Sequence, residues 1–168
     1  AGGVYIIGDG TRIGANAPGT APNLIAFNGG SGVVVTGPGM ANQIAGNNIH
    51  SNTQLGIDLI GNGVTLNDGG DADNGPNGLQ NFPVLTNARN PVASNTMVDF
   101  QLASFAPGSY TLRFFAGVCD ANGYGEGARQ VGVINSAAGG AGGAIVLSEV
   151  VPVGQAITAT ATDIAGNT

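Results

Sequence analysis

The chain contains no lysine, and its four arginines (Arg12, Arg89, Arg113 and Arg129) stand against ten acidic residues, for a net charge of −6 and an isoelectric point near 4.2. A surface that tracks phosphates needs clustered Lys and Arg, so nucleic-acid binding is excluded. A basic amphipathic membrane helix is excluded for the same reason. No apolar run approaches the roughly 20 residues of a membrane span, so no membrane insertion is expected. Charged residues make up only 8% of the chain, against a usual value of about 25%. With a hydrophobic content of 42% there is too little charge to keep the chain disordered by self-repulsion. Cys119 is the single cysteine, which excludes an internal disulfide framework and predicts a small buried hydrophobe. The sequence starts Ala1-Gly2-Gly3 without an initiator Met, as expected of a processed chain or of a piece of a longer one. The acidic balance and the wealth of Asn, Gly and Thr fit an extracellular, secreted or cell-surface protein.

Long helices are missing too. No window carries apolar residues at i, i+3, i+4 and i+7 without a Gly, Pro or Asn interruption, and 31 glycines in 168 residues leave little room for one. Glycine inside a helix costs about 1 kcal/mol relative to Ala, and proline about 3. What is present instead is a series of short apolar runs bounded by Gly, Asn and Pro, at 4–7, 24–27, 33–36, 57–60, 97–102, 110–115 and 157–162. These read as strands and turns, so the fold class is all-β.

The first half repeats on itself. Asn23-Leu-Ile25-Ala-Phe-Asn28-Gly-Gly-Ser-Gly32-Val33-Val-Val35 aligns with Asn47-Asn-Ile49-His-Ser-Asn52-Thr-Gln-Leu-Gly56-Ile57-Asp-Leu59 at an offset of 24 residues. A weaker echo links Thr11-Arg-Ile13-Gly14 with Asn42-Gln-Ile44-Ala45, the first followed by a Pro-containing excursion over 15–22. A period in the twenties made of short strands marks a solenoid. Inward Ile, Val and Leu then stack on their equivalents about 4.8 Å away in the next turn. Asn at the bends tolerates left-handed backbone, and its amide can ladder with the next Asn. The candidate ladders are Asn23 over Asn47 and Asn28 over Asn52.

These phrases, with Ile13-Gly14 and Gly56-Ile-Asp-Leu, resemble the right-handed parallel β-helix repeats of the pectate-lyase-like superfamily found in large secreted bacterial surface proteins. The resemblance covers residues 4–82 and ends in Asn67-Asp-Gly-Gly-Asp-Ala-Asp-Asn-Gly-Pro-Asn-Gly-Leu-Gln-Asn-Phe-Pro-Val-Leu. It implies a short β-helix of about two to three coils over 1–82, where long stacks are usual, followed by an immunoglobulin-like antiparallel β-sandwich over 83–168.

The second half supports that division on its own pattern. Val98, Phe100 and Leu102 alternate with Asp99 and Gln101; Tyr110, Leu112 and Phe114 with Thr111 and Arg113; Ile157, Ala159 and Ala161 with Thr158, Thr160 and Thr162. Half-buried antiparallel strands read this way, and several of them indicate a sandwich. The ending Ile157-Thr-Ala-Thr-Ala-Thr-Asp163-Ile-Ala-Gly166-Asn167-Thr168 is similar to the penultimate strand and turn of bacterial immunoglobulin-like repeats, which implies a sandwich lacking its last strand. An unpaired edge templates pairing with another chain, and a heterologous contact that does not close makes a fibre. A head-to-tail homo-oligomer through open β edges is therefore the expected partner. The other reading of the ending is a domain excised from its neighbours.

Between the halves, residues 67–77 collect Asp68, Asp71, Asp73, Asn67, Asn74 and Asn77. Oxygen ligands alternating around a Gly-permitted bend suit Ca²⁺, which takes 6–8 oxygens. An EF-hand is excluded, because the glycine comes one position early and Phe82 stands where the closing Glu belongs. The candidate metal ligands are Asp68, Asp71, Asp73 and Asn77, with Ca²⁺ as the cofactor they would hold. The competing reading is a solvated acidic turn capping its own backbone.

No catalytic set is found. β-helix lyases need a basic residue and a cation beside a uronate, and the first half offers Arg12 alone. β-helix hydrolases need paired carboxylates, whereas Asp9 and Asp58 occupy different phases of the repeat. His50, the single histidine, has no acid near it in sequence and is expected at an outward or turn position. The loop 120–126, with Asp120, Asn122, Tyr124 and Glu126, reads as a turn or, as in similar secreted proteins with a single Cys beside it, a binding tip. The expectation is a structural surface protein and not an enzyme. A carbohydrate-binding adhesin module that recognises a surface glycan, or a non-functional fragment of a polysaccharide-active enzyme, is the alternative.

Overall fold

A computed structural model describes residues 2–14, 21–92, 94–119 and 123–168. Most of the Pro-containing excursion over 15–22, together with Asp120 and Asn122, thus lies outside the described residues. The described chain is all-β, with parallel sheets in the first half and antiparallel sheets in the second.

The first half forms seven short strands: β1 (Val4–Ile6), β2 (Arg12–Ile13), β3 (Leu24–Ala26), β4 (Val33–Val35), β5 (Gln43–Ile44), β6 (Asn48–His50) and β7 (Ile57–Leu59). They pair in parallel on three faces, in the orders β1-β4-β7, β2-β5 and β3-β6. The sequence repeat is the structural register. Ile25 lies against Ile49, Val33 against Ile57 and Val35 against Leu59 at the offset of 24, and Ile13 against Ile44 follows the weaker echo. Their inward side chains fill one core, in which Ile6, Ile25, Val33, Val35, Ile44 and Ile49 are buried.

Both asparagine ladders form. Asn23 Nδ2 donates to Asn47 Oδ1 at 3.0 Å, and Asn28 Nδ2 donates to Asn52 Oδ1 at 2.8 Å. Left-handed backbone, expected at these asparagines, falls instead on Phe27 and Ser51 (φ 59° and 58°), which are themselves one period apart, and on Gly10 and Ala41 (φ 66° and 60°). The ladder asparagines are committed to fixed partners, with Asn47 Nδ2 reaching Ile13 O and Asn52 Nδ2 reaching Ile25 O. The bend therefore falls on their neighbours. At Gly14 (φ 90°) a Cβ would lie 2.0 Å from Ala45 O and 2.5 Å from Asn47 Oδ1. The close approach of successive turns demands glycine there.

The second half consists of β8 (Val84–Val92), β9 (Asn95–Leu102), β10 (Ser109–Val118), β11 (Arg129–Ala138), β12 (Ala141–Val146) and β13 (Gln155–Thr162). Two antiparallel three-stranded sheets, β12-β9-β8 and β11-β10-β13, are present. Val98, Phe100 and Leu102 of one sheet meet Tyr110, Leu112, Phe114 and Ala161 of the other in a second core, where the Phe100 and Phe114 rings pack with centroids 5.7 Å apart. The alternation read from the sequence holds for β9. It fails for β10, whose second face is buried as well, at Arg113 and Phe115. The guanidinium of Arg113 is held below its usual pKa by that burial, and Phe115 lines the cleft between the two halves beside Ile49 and Gly127.

The last turn of the parallel stack is covered by later parts of the chain. Ile49 N–H donates to Gly127 O at 2.8 Å, Ile44 N–H to Thr168 Oγ1 at 3.3 Å, and Ala41 N–H to Asn167 Oδ1 at 2.7 Å. At the other end, β1, β2 and β3 each pair on one side only among the described residues.

Candidate functional site

The acidic loop folds back on residues 80–82 through a frame of amide bonds. Asn81 is its hub: its Oδ1 accepts Asp68 N–H at 3.1 Å, its Nδ2 donates to Asp68 O at 2.9 Å, and its N–H donates to Asp71 Oδ1 at 2.8 Å. The same Nδ2 reaches Ala103 O at 2.7 Å, which ties the loop to the second half. Asn67 and Phe82 exchange two further bonds, of 2.7 and 2.9 Å. Asp71 adopts φ 61° beside Gly70 at φ 80°, and this bend turns the carboxylates toward one another.

Asp68, Asp71 and Asp73 each bring one carboxylate oxygen within 4.8 Å of the others. Burial pushes the Asp71 carboxyl above its ordinary pKa, the neighbouring charges of Asp73 and Asp68 push it further, and the Asn81 N–H opposes both. Asp73 is raised as well, by desolvation first and by Asp68 second. Its Oδ1 is buried without a hydrogen-bond partner among the described residues. A hard divalent cation takes carboxylate oxygens and relieves their repulsion. The donor set of these three aspartates fits that chemistry.

Asn77 does not belong to the group, which corrects the set expected from the sequence. It is 1% exposed, and its amide is fully engaged elsewhere: Oδ1 accepts Asn42 N–H at 3.0 Å, while Nδ2 donates to Asn42 O at 2.6 Å and Thr168 O at 3.0 Å. It stands in the short 3-10 turn Pro76–Leu79 with φ 52°. Asn77 is a fastener between the halves.

The remaining sequence candidates serve the backbone. Asp9 Oδ1 accepts Met40 N–H at 2.7 Å. Asp58, buried in β7, accepts Gly61 N–H, Gly63 N–H and Ser31 Oγ–H at 3.0, 3.1 and 3.2 Å. His50 lies in β6, with Nδ1 3.0 Å from Ser51 Oγ and its ring edge-on to Phe27. Cys119 is exposed, against the buried position expected for a lone thiol; β10 ends one residue earlier, so the chain has left the sheet there.

Glu126 plays a part that the sequence did not signal. It is 6% exposed, and its carboxylate terminates the ladder of the other half: Asn52 donates to it from Nδ2 at 2.7 Å and from the backbone N–H at 3.0 Å. The bond spans 74 residues, so no local pattern could announce it. Above it, a cleft of about 460 Å³ separates the halves, with Ile57, Leu59, Val84, Phe115, Tyr124 and Ile157 among its walls.

The chain matches no protein-family model, and no curated protein aligns with it significantly.

Proposed function

We propose that this protein is a structural module of an extracellular surface assembly and not an enzyme. In this reading a short right-handed parallel β-helix is joined to an immunoglobulin-like sandwich, and copies associate head to tail through unpaired β edges. One observation carries it: β1, β2 and β3 each leave one backbone edge without a strand partner among the described residues. Beside that rim Tyr5, Ile7, Leu24 and Phe27 are exposed, Phe27 to 80%. Open edges of this kind pair with other chains unless they are blunted.

Calcium at Asp68, Asp71 and Asp73 stiffens the junction in this proposal, because the loop these residues form is bonded to both halves. The structural role is supported by the way Asp9 and Asp58 are used: both accept backbone N–H groups. The test is sedimentation velocity with electron microscopy over a range of concentrations, with calcium and with chelator. Uniform filaments or defined oligomers that grow with concentration are expected. A strictly monomeric particle at high concentration in calcium overturns the assembly reading.

A further inference from the structure

We infer that the free edge of β12 joins two copies of this chain, strand to antiparallel strand, about a two-fold axis at Ala144. β12 lies well inside the sequence and pairs with β9 alone among the described residues. Natural sheet edges are protected by charge, proline or bulges, and the edge strands β8 and β11 carry such devices. β8 has Arg89, Pro91 and two register shifts against β9; β11 has Arg129 and two register shifts against β10. β12 has none of them. Its sequence, Ala-Gly-Gly-Ala-Ile-Val, contains no charge and no proline, and it keeps register with β9 along its whole length. Every residue of it is exposed except the half-buried Ile145.

The hydrogen bonds of β12 to β9 set the direction and register. Leu147 N–H donates to Thr96 O at 2.8 Å, one step beyond the pairing of Val146 with Met97. Bonding residues alternate along an antiparallel ladder. Ala141, Gly143 and Ile145 therefore bond to β9, while Gly142, Ala144 and Val146 direct their N–H and C=O groups outward. A two-fold axis at Ala144 sets outward residues against outward residues, Ala144 against its own copy and Gly142 against Val146, for about six bonds between copies. Between these pairs Gly143 meets Ile145. At both steps the bulk of one copy faces the missing side chain of the other, and this match of size within one strand selects a second copy as the occupant. Charge agrees with that choice. The net charge of −6 opposes contact between copies, but β12 is neutral, and Asp99, opposite Ala144, is ion-paired with Arg89. The two Asp99 side chains are then three strand spacings apart, roughly 14 Å, beyond the screening length of about 8 Å at physiological salt. The contact goes beyond the head-to-tail reading, because an isologous interface closes a pair and does not propagate.

The test is sedimentation velocity of the full chain over a range of concentrations, with amide hydrogen exchange measured at each. A dimer is expected in which protection of Gly142, Ala144 and Val146 rises with concentration, while Gly143 and Ile145 are protected throughout. Ala144→Pro removes two bonds between copies and none to β9, a change that an edge strand tolerates at an outward N–H. It should weaken the dimer at least about tenfold and leave the melting temperature of the monomer nearly unchanged. Ala144→Lys and Ala144→Glu each set like charges face to face at the axis. Each alone should be monomeric, and an equimolar mixture should restore a dimer containing one of each. The mixture decides the matter even where the proline variant unfolds. A wild type that stays monomeric, a dimer that neither Ala144→Pro nor Ala144→Lys weakens, or a mixture no more dimeric than its components overturns the inference. Larger oligomers with the amides of 142, 144 and 146 unprotected overturn it as well and leave the assembly reading standing. Dimers protected at those amides that never grow longer support it and count against the head-to-tail reading alone.

Discussion

Asp71 holds one carboxylate oxygen on the Asn81 amide proton while its charge is opposed by desolvation and by Asp73 and Asp68. Asp71 and Asp73 are both raised above the ordinary value of 3.8 in the folded chain. Between that value and the raised ones, the folded state binds more protons than the unfolded state. Stability contributed by these groups is therefore full at low pH and is lost as pH rises through the raised values. Bound calcium opposes this loss, because it replaces the protons as the compensating charge. Asp71→Asn retains an acceptor for Asn81 and suits the left-handed backbone, so it removes charge with little change of shape. In chelator, the melting temperature of wild type relative to Asp71→Asn should fall as pH rises from about 3.5 to about 6. Calcium at the upper end should restore wild type and restore the variant less. Equal calcium shifts in both proteins, or none in either, would leave the aspartates as a self-capping turn. At this scale the sequence was legible where side chains act on near neighbours. Asp68, Asp71 and Asp73 could be grouped because the loop is local. Asn77, four residues beyond Asp73, was misplaced because its partners Asn42 and Thr168 lie 35 and 91 residues away.

The parallel strands were legible because their long-range contacts are written as a repeat: the offset of 24 between Ile25 and Ile49 is at once a sequence identity and a strand register. The antiparallel half has no such echo. β9 and β13 announced themselves by alternation, whereas β12 (Ala141–Val146), rich in glycine, is not among the runs read as strands. It is a strand because Gly143 lies opposite Phe100 in the register, and a Cβ there would come within 2.9 Å of that ring. The small residue is a packing requirement and not a break. The ladder also allows a graded test of the stack. Asn52 accepts from Asn28 and donates to Ile25 O and Glu126; Asn28 Nδ2 makes the single ladder bond. Asn52→Ala should cost about 2–3 kcal/mol, because several buried partners are left unpaired, and Asn28→Ala about 1 kcal/mol. Denaturant midpoints at unchanged slope give both values. Equal costs would mean that the Glu126 end of the ladder carries no weight.

Two cores of roughly 80 residues each are thin, since a single core of that size supplies only about 3–5 kcal/mol, and their mutual contacts decide whether they unfold separately. The change from a repeat of 24 residues to two-residue alternation was readable, but the fastening between the two halves was not, for it uses scattered amides and backbone ends. Ile49 N–H donates to Gly127 O, Ala41 N–H to Asn167 Oδ1 and Asn52 N–H to the Glu126 carboxylate, so the last turn of the stack depends on chain that comes later. The amides of Ala41, Ile49 and Asn52 are thus reporters of the junction, while Leu112 in β10 reports the second core. If the halves fold as one cooperative unit, all four amides should exchange with the same free energy, that of global unfolding. Glu126→Ala removes a charged acceptor from Asn52, a loss of about 1.5–3 kcal/mol. Exchange at Ile49 and Asn52 should then accelerate by about tenfold to a hundredfold, with exchange at Leu112 unchanged. Acceleration of all the amides alike would show that the variant weakens the whole molecule through a coupled junction. No change at Ile49 would show a parallel stack that stands without the antiparallel half.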